Sequence, residues 1–259
     1  MWNIDFIKEE DFHTHIAKTI NEYQDNLAAY DLQKFNSNLI DPIKLILDKS
    51  VYQFSWEETI KSEIFRQRDK TNNNSIGYFH QNIFAYIAHC SVPAQGWDVI
   101  FNNPGNIALQ DGQLVSSIYV EMKNKHNTMN SAAGQKTYIK MQNQLLHDDD
   151  CACFLVEAIA RHSQNVPWAV SVDQEKKHHK LIRRVSLDKF YEIVTGDPDA
   201  FYKLCMALPS AIDHVIQTST TIQVPQDSVM EELLDLTRDN GCSFPMALYL
   251  LGFGEYVGF

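Results

Sequence analysis

A chain of 259 residues with 44% apolar side chains can bury a substantial core, and its formal charge of −11 excludes a uniformly basic nucleic-acid binder. Its longest apolar runs, such as Met246 to Phe253, are far shorter than the roughly 20 residues of a membrane span. The start, Met1-Trp-Asn-Ile-Asp5, has no basic region leading into an apolar stretch, so a soluble, cytoplasmic protein is expected.

Apolar side chains at three- and four-residue spacing predict helices over residues 8 to 35 and 55 to 68, the second opened by a capping box of Ser55 and Glu58. The polar run Asp69-Lys-Thr-Asn-Asn-Asn-Ser75 reads as a loop before a third, sparsely charged helix from Ile76 to Ile87. The period then changes. Trp97 to Phe101 and Ser116 to Asn124 are rich in β-branched and aromatic residues and are bracketed by Gly and Asn-Pro-Gly turn signals, which predicts two strands. A helix follows over 131 to 146, then strands over 152 to 160, 167 to 172 and 182 to 186. Further helices are expected at Asp188 to Val194, Asp199 to His214 and Ser228 to Arg238. The apolar segment from Phe244 either packs into the core or forms a dimer interface. Five cysteines without a C-x-x-C pair suggest neither disulfide framework nor zinc knuckle, and Cys151 and Cys153, on one face of a strand, read as buried apolar residues. The order implies an α/β core with a helical periphery, organised as one domain over 1–259: a helical region 1–74, a core 75–190 and a helical region 191–259.

One constellation carries chemistry. In Val120-Glu-Met-Lys-Asn124 the two-residue period puts Glu121 and Lys123 on one strand face, with Val120 and Met122 on the other. Asp98 sits between Trp97 and Val99 in the preceding strand. Charges on an otherwise buried strand are costly unless paired or bound to an ion. Convergence of Asp98 and Glu121 on Mg2+ resolves the problem, because magnesium prefers oxygen ligands and bridges to substrate phosphate; Lys123 then acts as base or electrostatic clamp. The net charge does not oppose a DNA substrate, because residues 112–190 hold 11 Lys/Arg against 8 Asp/Glu and the remainder holds 11 against 25.

Asp98 followed by Glu121-Met122-Lys123 resembles the PD-(D/E)XK nuclease pattern, with Trp97 in place of the proline. With Ile76-Gly-Tyr-Phe-His-Gln81, Gly96-Trp-Asp98, Val120 to Ser131, Val185 to Tyr191 and Thr195 to Tyr202, the chain resembles the restriction endonuclease family that includes the SinI enzyme. The resemblance spans roughly residues 75 to 210. It implies a central mixed β-sheet flanked by helices, with additional helices at both termini, and Mg-dependent cleavage of double-stranded DNA at GGNCC-type sites, including GGWCC. The superfamily often takes a further acid from the helix before the first catalytic strand. Here that helix offers Gln81 or His80, while Glu63 reads as a solvated helix-face charge.

The polar segment after the catalytic strand, with Asn124, Lys125, His126, Asn127 and Asn130, supplies donors suited to guanine O6/N7 and phosphate. Lys136 and Lys140 either track phosphates or face water. Arg161, His162, Arg183 and Arg184 are further candidates, and Glu175 to Lys180 reads as a mobile basic turn rather than a histidine metal site. A pseudopalindromic target implies a homodimer, with a cognate DNA methyltransferase as genetic rather than physical partner. A structure-selective repair or recombination nuclease, a DNA-binding protein without catalysis, and a metabolic α/β enzyme with a structural Glu121–Lys123 pair are the alternatives. The last lacks support from any glycine-rich phosphate loop or G-x-S-x-G elbow.

Overall fold

The computed structural model describes residues 2–109, 112–172, 175–219 and 225–256. Its contacts group into two compact units: Met1–Thr19 with Ile76–Thr220, and Ile20–Ser75 with Thr221–Phe259. Among the described residues no helix is long and apolar enough to cross a membrane.

The first unit is built on a mixed sheet of β1 (Cys90–Ser91), β2 (Val99–Ala108), β3 (Leu114–Lys125), β4 (Cys151–Ile159), β5 (Asn165–Val172) and β6 (Glu175–Ser186). The spatial order is β1-β2-β3-β4-β6-β5. β3, β4 and β6 run parallel, while β2 and β5 pair antiparallel with β3 and β6. Residues 151 to 157 of β4 are all buried, as expected of a central parallel strand covered on both faces. Cys151 and Cys153 are fully buried there, in line with their reading as small apolar residues. On one face α5 (Ser131–His147) packs Tyr138 and Met141 against Cys153, Leu155, Trp168 and Ile182. The other face presents Phe154 to Phe190 of α6 (Leu187–Thr195), joined to Phe84 and Tyr191 in an aromatic cluster. This is the expected α/β architecture, with the sheet held between helices.

Several local expectations differ from the structure, and the helix expected over residues 8 to 35 ends at Asn26, with a separate short helix over Leu32–Asn36. Asp69 to Ser75 is not a loop: α4 runs unbroken over Trp56–Asn82. Side chains satisfy the polar run locally, with Thr71 Oγ1 donating to Gln67 O and Asn73 Nδ2 donating to Asp69 O and Oδ2, so the helix stays hydrated rather than breaking. The Asn103-Pro-Gly105 turn signal lies inside β2, where a register shift between Asn102 and Ile107 absorbs the residues that cannot hold a regular ladder, with Asn106 at φ 64°. Residues 175–180 belong to a strand rather than a turn, because β5 supplies backbone partners: Ser171 pairs with Lys176, Val170 with Lys177 and Ala169 with His178.

The second unit includes α2 (Leu32–Asn36), α3 (Pro42–Tyr52), α8 (Val229–Asp239) and α9 (Phe244–Phe253). Its core joins Phe35, Leu45, Ile60, Ile64, Val229, Leu233 and Leu248. The C-terminal apolar segment therefore packs within its own chain: Phe244 stacks on Trp56 at 4.7 Å and Leu248 is fully buried. Helix α3, capped by Asp41 with Pro42 in its first turn, was not expected, since Ile43, Leu47 and Val51 lie exposed and blur its amphipathic period. Glu63 is buried rather than solvated, its carboxylate held by Arg66 and Gln67.

Gly252 lies against the first turn of α3. A Cβ there would lie 2.6 Å from Pro42 Cγ and 2.9 Å from Pro42 Cδ, atoms of a rigid ring. Overpacking costs about 1–3 kcal/mol, against less than about 1 kcal/mol gained from the better helix propensity of Ala. Gly252→Ala should therefore lower the urea midpoint of unfolding; a raised midpoint would show that α9 and Pro42 separate freely.

Candidate active site

The site is assembled where β2 begins beside the second half of β3. Gly96, at φ 95°, turns the chain so that Trp97 and Asp98 precede β2. The Asp98 N–H donates to Val120 O at 3.0 Å, and its Oδ2 accepts from the Met122 N–H at 2.7 Å, so the carboxylate is pinned across β3. Along β3, Val120 and Met122 are buried while Glu121 and Lys123 are half-buried, as the two-residue alternation requires. Lys123 Nζ lies 3.6 Å from Glu121 Oε2. A second ammonium reaches the same carboxylate: Lys140 of α5 is hydrogen-bonded to Glu121 Oε1 and to the Gly96 carbonyl, and it sits 4.1 Å above the Trp97 ring. Trp97, in the place of the pattern's proline, meets the Tyr119 ring at a tilt with centroids 5.5 Å apart and donates to Gln144 Oε1 at 3.3 Å. It thereby braces α5 against the strand carrying the two charges.

Burial pushes the Asp98 carboxyl above the ordinary carboxylate range, and the charge of Glu121 pushes it further. The Met122 N–H opposes this, with smaller help from Lys123 and Lys140. Two carboxylates, one just ahead of β2 and one on β3, with ammonium groups drawn in, form a donor set that fits a hard divalent cation. Among the described residues no group of three His, Cys, Asp or Glu converges as a metal cage, so such an ion would take its other ligands from water and substrate.

No hydrogen bond among the described residues joins Gln81, near the end of α4, to Asp98, Glu121 or Lys123. Burial lowers His80 to about 4, so its imidazole is neutral near pH 7.

The model of the Eco47II restriction endonuclease family matches residues 4–217, most of the chain. The chain belongs to this family. It is 27% identical to the type II restriction enzyme Sau96I of Staphylococcus aureus over 266 residues, covering 99% of this chain and 98% of that protein. It is 28% identical to the type II restriction enzyme Eco47II of Escherichia coli over 225 residues, 82% of this chain and 88% of the relative. The protein is thus a type II restriction endonuclease, a site-specific deoxyribonuclease acting on DNA.

In this endonuclease the segment after β3 is shaped by contacts that sequence reasoning missed. Glu157 of β4 lies beside Lys123 in the parallel register and is 2% exposed. Arg184 of β6 donates from Nε to Glu157 Oε1 at 2.9 Å and from its Nη2 to the His126 carbonyl at 2.9 Å, while Gln164 Nε2 donates to Glu157 Oε2 at 3.3 Å. A buried ion pair thus holds the turn that leaves β3. The signal was present: Glu157 closes an otherwise apolar run from Cys151 to Val156, the same anomaly that singled out Asp98.

The DNA-contact candidates separate into two groups. Lys125, Asn127, Lys136 and Arg161 are exposed, and Asn124 and His126 are half-buried on the same segment as Lys125 and Asn127. Asn130 Oδ1 caps α5 by accepting from the Ala133 N–H, so its side chain has a structural task. Arg183 is buried and bonded to Asn165 and Lys180, and Arg184 braces Glu157, so both arginines serve the fold. Lys140 belongs to the charged centre rather than to a row with Lys136.

Proposed function

We propose that the endonuclease is a magnesium-dependent nuclease of the PD-(D/E)XK type that cuts double-stranded DNA at a short pseudopalindrome of GGNCC type. The observation that carries this reading is the meeting of Asp98, Glu121 and Lys123 at the β2–β3 junction of a mixed sheet. Asp98 and Glu121 would hold the cation, which, when bound, supplies charge neutralisation at the scissile phosphate. Asp98 is kept in place by the Met122 N–H, so its carboxylate is preorganised. Lys123 Nζ orients or deprotonates the attacking water and offers a positive charge to the phosphate oxygens as negative charge builds. Lys125, the last residue of β3, and Asn127, just beyond it, are exposed and present donors to base edges and phosphates. A target with two-fold symmetry is met most simply by a homodimer in which each subunit cuts one strand. The GGNCC-type target rests on the motif resemblance.

Run-off sequencing of plasmid DNA digested with the purified protein and Mg2+ tests the reading, since it reports site, cut position and stagger together. Discrete fragments ending at GGNCC-type sequences are expected. A smear or isolated nicks would favour a structure-selective nuclease and overturn the proposal.

A further inference from the structure

We propose that Lys140 is the internal counter-ion of the metal-free centre: its ammonium neutralises Glu121 until a divalent cation enters together with DNA, and then turns to the incoming phosphate. This rests on the divalent-cation reading above. Three independent contacts set the position of Lys140: Glu121 Oε1, the Gly96 carbonyl and the Trp97 ring face. The motif lysine is less tightly placed, with Lys123 Nζ at 3.6 Å from the same carboxylate. Lys140 also sits on α5 rather than on the strand, and its side chain is 36% exposed, so it can swing into solvent without unpacking Tyr138 or Met141.

Charge balance gives the functional consequence. Asp98 and Glu121 carry two negative charges when ionised, and Lys123 and Lys140 carry two positive ones. A divalent cation added alone would leave the centre with a surplus of two positive charges close together. Phosphate oxygens arriving with DNA offset that surplus and offer Lys140 a new partner. The centre is therefore arranged to bind metal weakly without DNA and more tightly with it, which limits unproductive ion binding. Lys140 acts here as a positioning residue, because it governs occupancy of the carboxylates.

Mn2+ titrations followed by electron paramagnetic resonance, without DNA, provide the test. Lys140→Met keeps a flexible side chain against Trp97 but removes the charge, and Lys140→Gln serves as a second neutral variant. Removing one cation from beside a divalent site at partial exposure should tighten Mn2+ binding on the order of tenfold in both variants. Adding uncleaved cognate duplex should raise the Mn2+ affinity of the unaltered protein more than that of either variant. Equal or weaker Mn2+ binding by both neutral variants would overturn the inference while leaving the divalent centre standing. Glu121→Gln in each background should cancel the gain. Mn2+ binding indifferent to Glu121→Gln everywhere would instead overturn the divalent centre itself, and this inference with it.

Discussion

Lys123→Ala is expected to slow single-turnover DNA cleavage by on the order of 10²–10³-fold, the usual effect of deleting one preorganised positive group that faces developing negative charge. The side chain is half-buried beside Glu121 and its ammonium faces the charged centre, so its loss should leave the sheet intact. Asp98→Asn separates charge from architecture more sharply. Its amide oxygen can still accept from the Met122 N–H, preserving the junction of β2 and β3, while the charge that would hold a cation is gone. Cleavage by Asp98→Asn should fall at least as far as by Lys123→Ala, and burial of a neutral amide in place of a strained carboxylate should not lower the melting temperature. Both variants should retain most sequence-specific DNA affinity in a mobility-shift assay without Mg2+. Cleavage by Lys123→Ala at the normal rate would remove the proposed centre.

The second large effect is expected at Glu157 and Arg184. Removing one member of a buried ion pair leaves the other uncompensated and costs about 3–5 kcal/mol; the Arg184 side chain is a third exposed, which places Glu157→Leu toward the lower end of that range. Urea denaturation of the single and double variants reads this directly. Glu157→Leu combined with Arg184→Met should recover much of the stability, because apolar packing replaces a pair whose desolvation is costly. The double variant still lacks the hydrogen bond to the His126 carbonyl, so the turn before Asn127 loses its brace. Its discrimination between cognate and non-cognate duplex should therefore fall even where its stability returns. Full discrimination by a stable double variant would mean that the brace is not needed for reading DNA.

Both predictions concern charges embedded in apolar strands, and this was also the most legible feature of the sequence. Period-2 alternation places Glu121 and Lys123 on a common face without knowledge of any neighbour, and a lone acid flanked by Trp97 and Val99 demands a partner. Elements with a marked apolar pattern were equally readable, including α5, the continuous apolar run of β4 and the helices between Asp188 and Arg238. Polar and breaker residues misled. Asn72 to Asn74 suggest a loop but continue α4, and Pro104 and Gly105 suggest a turn but lie inside β2. In each case the local preference is weak, worth about 1 kcal/mol or less outside proline, and side-chain hydrogen bonds or a register shift overrode it.

By itself the sequence determined the chemistry on offer: two carboxylates and a lysine at strand spacing, followed by a polar segment, within a pattern resembling restriction endonucleases. Only the tertiary structure decided which other charges join them. Lys140 comes from a helix 19 residues beyond Glu121, and Glu157 and Arg184 come from two further strands, because α5 crosses the sheet and β3, β4 and β6 run in parallel register. Strand periodicity is a property of a few consecutive residues, whereas convergence across a sheet depends on crossover connections that no local pattern encodes.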